Sequence, residues 1–358
     1  MCWPSCGTLA SDSAGRVSFF ASTVPGLGGL LKDETAARPG LEAGSDVGAD
    51  GRSDVVFFRI RRGARFALDE LRLAEDVFVI IGDSGRGPPG RLAAALVEPA
   101  GLERALSVRA GYVRPLSGSM TFRVISRVLD ESEFRRTDLR GAVERAIGAV
   151  RPRWRAADPA DLEVWVVEYR RGRFVSGVRL SDRRLRQHGA GRVSERRGAL
   201  RPAVAAAMVR LAGAGPGRLL DPCCGSGTIV REAGAAGWDA QGSDLDEAAV
   251  RAARVNVPGA VIERADARKL PQPDGAFDAV VTNLPFGRQF RVGGDTAAWV
   301  TGVLREAARV IRPGGRVIVL VPPPVPDRIG GLTLAAAHPL RLLGVPTQIW
   351  AYDRDRPR

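Results

Sequence analysis

The spacing of apolar and polar positions changes rhythm along the chain. Val17–Phe20 predicts a short strand, then a turn at Pro25-Gly26 and a helix start. The Gly- and Asp-rich stretch 37–54 predicts a loop or flexible insertion. DVVFFRI (54–60) and DVFVIIG (76–82) predict strands, and Phe66–Leu73 between them predicts a helix. MTFRVISRV (120–128) is a further strand. Arg136–Val150 is helical, because Leu139, Val143, Ile147 and Val150 recur at helical spacing. LEVWVVEYR and RFVSGVRLS (162–181) form a hairpin about an Arg171-Gly172 turn. After Leu200 the texture shifts to strict alternation: apolar strands RLLD, DAQGSD, AVIERAD, FDAVVTN and RVIVLVP are separated by amphipathic helices. Near-continuous apolar strands alternating with helices predict a parallel sheet covered on both faces. Two further strands in the tail join through Gly344-Val345-Pro346.

Composition places these elements in a globular chain. Of 358 residues, 45% are apolar and 26% charged, and no apolar run is long enough for a membrane helix. Residues 1–15 are expected to be disordered and lack the pattern of a signal peptide, so a cytoplasmic protein, expected to be monomeric, is the reading. Cys2, Cys6, Cys223 and Cys224 fall in two local pairs that suit reduced thiols. With only His188 and His338 as imidazoles, no metal site is expected.

Charge adds a partner. Residues 1–110 carry a net −1, residues 111–210 a net +11 and residues 211–358 a net +3, so almost the whole excess of +13 lies in the middle. Nearly all of it is arginine, since Lys32 and Lys269 are the only lysines. Such a localised basic segment suits a polyanion, with Arg171, Arg183, Arg184, Arg186, Arg196 and Arg197 as candidate nucleic-acid contacts.

Chemistry concentrates at four strand ends after residue 200. The first is Asp221-Pro222-Cys223-Cys224-Gly225-Ser226-Gly227-Thr228, a strand end, a glycine loop and a helix start. The acid ahead of the glycines suits a cationic ligand and not a pyrophosphate. The second, Gly242-Ser243-Asp244-Leu245, puts a carboxylate where ribose hydroxyls are typically held. The third is Asp266-Ala267, placed to meet an adenine edge. The fourth is Asn283-Leu284-Pro285-Phe286-Gly287. An exocyclic purine amine is a poor nucleophile, because its lone pair is delocalised into the ring. The Asn283 side-chain carbonyl and the Leu284 backbone carbonyl can accept its N–H groups. Pro285 fixes the backbone and Phe286 offers a stacking face. Ligands in open α/β sheets bind at such carboxyl ends.

DPCCGSGTI, GSDLD, RADAR and NLPFG, in this order, resemble class I S-adenosylmethionine-dependent methyltransferases that act on exocyclic amines of nucleobases. Cys223-Cys224 and Leu284-Pro285-Phe286 are most similar to THUMP-domain RNA guanine-N2 methyltransferases, particularly those modifying guanosine 6 of the tRNA acceptor stem. FFASTVPGLGGLL resembles the start of their N-terminal ferredoxin-like domain, residues 111 to 190 resemble their THUMP module, and RGALRPAVAAAM resembles the helix before their catalytic domain.

The resemblance implies an α/β architecture: a ferredoxin-like domain over 16–110, a THUMP RNA-binding domain over 111–190, and a Rossmann-like methyltransferase domain over 191–358 with a mostly parallel seven-stranded sheet. It implies that Asp221, Gly225 and Gly227 hold the methionine part of S-adenosylmethionine, with Cys223, Ser226 and Thr228 as further cofactor contacts. Asp244 would hold the ribose, Asp266 and Ala267 the adenine, Leu245 would be a further cofactor contact, and Asn283 would face both cofactor and base. Asn283, Leu284, Pro285 and Phe286 would form the target-base pocket. Leu284 departs from the Asn-Pro-Pro-Tyr form of adenine-N6 and glutamine methyltransferases. The implied substrate is tRNA. Ribosomal RNA guanine, DNA adenine, a non-catalytic RNA-binding role and a nicotinamide oxidoreductase are the competing readings. The last lacks the third glycine of a dinucleotide loop.

Overall fold

The computed structural model describes residues 17–49, 52–62, 64, 66–113, 120–129, 133–181, 186, 188, 199–285, 296–342 and 345–356. The chain divides into two compact units, Met1–Arg186 and Gln187–Arg358.

The first unit is built on one eight-stranded sheet. β1 (Ser18–Thr23) lies between β3 (Asp54–Ile60) and β4 (Asp76–Ser84), antiparallel to both, and β2 (Leu41–Ala49) flanks β3. On the other side β4 pairs with β8 (Arg173–Arg179), β8 with β7 (Leu162–Arg170), and β5 (Thr121–Arg127) and β6 (Arg155–Ala156) complete the order. Helices α1 (Gly28–Ala37), α2 (Pro89–Leu96), α3 (Pro99–Tyr112) and α4 (Arg136–Val150) connect the strands. The β4–β8 pairing, with Val79 opposite Val178, makes the segments 16–110 and 111–190 share one sheet. An aromatic cluster crosses the same seam: Phe20 stacks on Phe78 at 4.4 Å between centroids, and Phe78 meets Trp165 at 5.2 Å.

Two local expectations change here. The segment expected as a loop over 37–54 contains β2, whose partner β3 supplies the ladder that its weak β-propensity could not announce. Gly48 in this strand lies against Tyr169, whose carbonyl oxygen a Cβ would approach to 2.8 Å, so the end of β2 requires glycine. The helix expected over Phe66–Leu73 shrinks to a 3₁₀ turn, Leu68–Glu70. The buried Glu34 carboxylate takes the amides of Arg72 and Leu73, at 3.1 and 3.0 Å, in place of helical carbonyls.

The second unit holds the other eight-stranded sheet, in the order β11-β10-β9-β12-β13-β16-β15-β14. β9 (Arg218–Asp221), β10 (Asp239–Asp244), β11 (Val261–Arg264), β12 (Phe277–Asn283) and β13 (Ile311–Val321) are parallel. β14 (Arg328–Ile329), β15 (Leu332–Leu342) and β16 (Val345–Arg354) are antiparallel additions beyond β13. The sheet is therefore eight-stranded and mixed, and the expected count of seven is corrected. The parallel half follows from helical crossovers: α6 (Thr228–Ala235), α7 (Glu247–Asn256) and α8 (Thr296–Val310) each return the chain to the same edge. The tail has no helix between its strands and turns back directly, and the two-residue β14 is too short to show in the apolar pattern. α5 (Pro202–Ala212) precedes β9, with proline in its first turn, as the sequence predicts. Val280, Val281, Val317 and Val319 are completely buried, which accounts for the continuous apolar runs. No described helix is long and apolar enough to cross a membrane.

Candidate active site

The strand order reverses direction between β9 and β12, so the crevice at this switch point opens at their carboxyl ends. Asp221 ends β9 and Asn283 ends β12, while Asp244 ends the neighbouring β10 and Asp266 follows β11 by two residues.

The glycine loop connects β9 to α6. Gly225 has φ 54° and Gly227 φ 82°, both left-handed, and Gly227 stands at the cap of α6. A Cβ on Gly227 would also come within 2.9 Å of Val257 Cγ2. The Cys224 amide donates to the Ser243 carbonyl at 2.8 Å and the Gly225 amide to Asp244 Oδ2 at 2.9 Å, fastening the loop to the end of β10. Asn256 Nδ2 donates to the Ser226 carbonyl at 2.9 Å from α7. Thr228, at the first position of α6, is buried.

Asp221 is 1% exposed and accepts the Cys223 amide through Oδ1 at 3.2 Å. Burial pushes its carboxyl up to about 7, and the Asp244 charge adds to this against the Thr282 hydroxyl and the Cys223 amide. Burial also pushes the Cys223 and Cys224 thiols up, reinforced by the Asp221 and Asp244 carboxylates, so both side chains stand as neutral free thiols.

Asp244 accepts the Gly225 amide on Oδ2 and the Asp246 amide on Oδ1, both at 2.9 Å, which among the described residues leaves one lone pair on each oxygen for a vicinal diol. Leu245 beside it is 58% exposed, an apolar surface suited to a flat ring. Ala267 is buried. Asp266 is engaged by Arg268, a residue the motif reading did not single out. Arg268 donates through its amide and Nε to Asp266 Oδ1, at 2.9 and 3.1 Å, and through Nη2 to Oδ2 at 2.7 Å. The signal was a cation two residues after the acid.

Asn283 Oδ1 is buried and has no hydrogen-bond partner among the described residues, and neither do the hydroxyls of Ser226 and Ser243. Buried polar atoms are ordinarily satisfied, so this group suits a polar ligand or water at the crevice. The Leu284 amide donates to the Leu320 carbonyl at 3.1 Å, which ties the backbone to β13 just beyond Asn283. The Leu284 side chain is wholly buried in the core under α8, so its part in the site is confined to its backbone. Pro285 is half-buried, and Phe286 and Gly287 lie outside the described residues. The donor set fits S-adenosylmethionine: a buried acid for an ammonium, paired free acceptors for a ribose and an apolar face for adenine.

Of the candidate RNA contacts, Arg171 is exposed at the β7–β8 turn. Arg186 instead grips the buried Asp76, with Nε at 3.0 Å and Nη2 at 2.6 Å. Arg183, Arg184, Arg196 and Arg197 lie outside the described residues.

Comparison with known proteins places these features. Residues 190–324 match the family described as UPF0020, RMKL-like, methyltransferase domain. A tRNA (guanine(6)-N2)-methyltransferase of Thermus thermophilus is 33% identical over 319 residues, 84% of this chain and 88% of that protein. A U6 snRNA (guanine-N(2))-methyltransferase of Mus musculus is 34% identical over 146 residues, 38% of this chain, and the match spans 27% of that larger protein. Among solved structures, TrmN from Thermus thermophilus superposes with a TM-score of 0.72 at 26% identity, covering 95% of this chain and all of that one.

Proposed function

The chain belongs to the UPF0020 family of methyltransferases, and from that membership we propose that it methylates the exocyclic N2 amine of a guanosine in tRNA, at position 6 of the acceptor stem, using S-adenosylmethionine. The observation that carries this reading is the convergence of Asp221, Asp244, Asp266 and Asn283 on one sheet edge, with Asn283 Oδ1 buried and unpartnered among the described residues. Similarity to the Thermus enzyme over most of both chains supports the tRNA substrate.

The cofactor supplies a sulfonium-bound methyl group when bound. Ionised Asp221 meets the positive amino-acid end, and Asp244 holds the ribose. Asn283 Oδ1 would accept one N–H of the guanine amine and the Leu284 carbonyl the other, which would favour a pyramidal nitrogen with its lone pair out of conjugation. No strong base would be needed: transfer would break the S–CH3 bond with S-adenosylhomocysteine as the leaving group, and the N–H of the alkylated amine would be acidic enough to pass its proton to solvent water. The chain's contribution is positioning and hydrogen bonding. Pro285 and Phe286 clamp the extruded base.

Residues 16–110 act as a ferredoxin-like domain and 111–190 as a THUMP module, and the basic segment holds the acceptor end through Arg171, Arg183, Arg184, Arg196 and Arg197. The enzyme works as a cytoplasmic monomer. The test is methylation of transcripts by the purified chain with nucleoside mass spectrometry. N2-methylguanosine at position 6 of tRNA is expected. Methyl transfer confined to ribosomal RNA, U6 snRNA or DNA adenine would replace the substrate, and no cofactor binding would leave a non-catalytic RNA-binding protein.

A further inference from the structure

Asp266 is not a bare carboxylate. The turn after β11 brings the Lys269 amide onto the Asp266 carbonyl at 2.8 Å and folds Arg268 back over the acid. Asp266 Oδ1 takes two donors, the Arg268 amide and Nε, which fills its lone pairs. Among the described residues Oδ2 takes only Arg268 Nη2, so one acceptor site remains on the carboxylate. The three bonds from one residue fix the plane of the carboxylate, where an exposed single ion pair would not. Arg268 holds the Asp266 carboxyl below its ordinary value through these same hydrogen bonds, so it stays an acceptor.

α8 backs the arginine. A Cβ on Gly302 would meet Arg268 Cγ at 3.4 Å and Cδ at 3.5 Å, so the stem of Arg268 crosses the helix at its residue without a side chain. One and two turns further along α8, Glu306 accepts the Leu270 amide at 2.8 Å, and Arg309 binds the carbonyls of Leu270 and Gln272 at 3.0 and 2.9 Å. Residues 270 to 274 are thereby clamped to one helix.

We propose that Arg268 is a specificity-determining positioning residue for the cofactor: by occupying three of the four acceptor sites of Asp266, it leaves one, aimed to take an N–H of the adenine amino group. This rests on the reading of Asp266 as the adenine contact. An amino group satisfies the remaining site. A keto group in the same place would set an oxygen against the carboxylate and leave its remaining acceptor site without a donor from the ligand.

The test is calorimetric binding of S-adenosylhomocysteine and S-inosylhomocysteine to the full chain. The wild type should prefer the adenosyl compound at least about tenfold. Arg268→Ala and Arg268→Gln, checked for an unchanged melting temperature, should reduce that preference several-fold, while the KM for RNA stays unchanged. Arg268→Lys should restore part of it. Gly302→Val, which crowds the Arg268 stem, should act like Arg268→Ala. A wild type that binds S-adenosylhomocysteine without preferring it would remove Asp266 as the adenine contact. A wild type that binds neither compound would overturn the cofactor reading itself. A preference kept intact in the folded Arg268 variants would overturn the role given to Arg268 and leave both other readings standing.

Discussion

The Gly225 amide donates to Asp244 Oδ2 across 2.9 Å, joining the glycine loop after β9 to the carboxylate that ends β10. One acid therefore sets the loop and, in the role proposed for it, would also hold the ribose. Asp244→Ala should weaken S-adenosylhomocysteine about 100-fold, because it removes both acceptors and the anchor of the loop. Asp244→Asn keeps one carbonyl oxygen and should lose less. Isothermal titration of the three proteins decides the order.

Cofactor affinity should depend on pH through Asp221. Its carboxyl is raised from 3.8 to about 7. A carboxylate raised on folding contributes stability that is fully present below its unfolded value and is lost as pH rises through the folded value. The ligand-free protein should therefore lose this contribution to its melting temperature as pH rises toward and through 7. The cofactor ammonium selects the ionised form, so affinity runs the other way: it should rise about tenfold per unit below pH 7 and level off above. Asp221→Asn should flatten both profiles.

Asn283→Ala should lower the single-turnover rate by a factor on the order of 10²–10³, the usual loss for a preorganised group acting on developing charge. RNA affinity should change little. A large loss of RNA binding in filter-binding titrations would mean that Asn283 holds substrate in the ground state.

Gly227→Ala should destabilise the start of α6. The left-handed conformation costs a non-glycine residue about 1–2 kcal/mol, and the added Cβ meets Val257 at 2.9 Å. Thermal melts should fall, and cofactor affinity with them.

Arg186 separates from its basic neighbours. Its ion pair with Asp76, which also accepts Arg179 Nε at 2.8 Å and Ser181 Oγ at 2.6 Å, makes it part of the sheet scaffold. Arg186→Ala should cost on the order of 1 kcal/mol of stability with a nearly unchanged salt slope of RNA binding. Reversing Arg183 and Arg184 should flatten that slope.

Features set by local period and by the ends of apolar runs were legible in the order of residues. The spacing of Leu139, Val143 and Ile147 specified α4, the Arg171-Gly172 pair specified the β7–β8 turn, and the alternation after Leu200 specified a parallel sheet. The acids Asp221, Asp244 and Asp266 were legible because each closes or follows an apolar run, and parallel strands bring such positions to one edge. Tertiary structure decided the partners. β2 exists because β3 offers it a ladder, and Glu34 draws residues 72–73 out of a helix from far away in the chain. The fate of Arg268 and Arg186 was settled in the same way. Each is an arginine in an arginine-rich chain, and only the turn after β11 or the buried Asp76 chose its carboxylate. Periodicity records which face a residue occupies; it does not record which distant group arrives there to meet it.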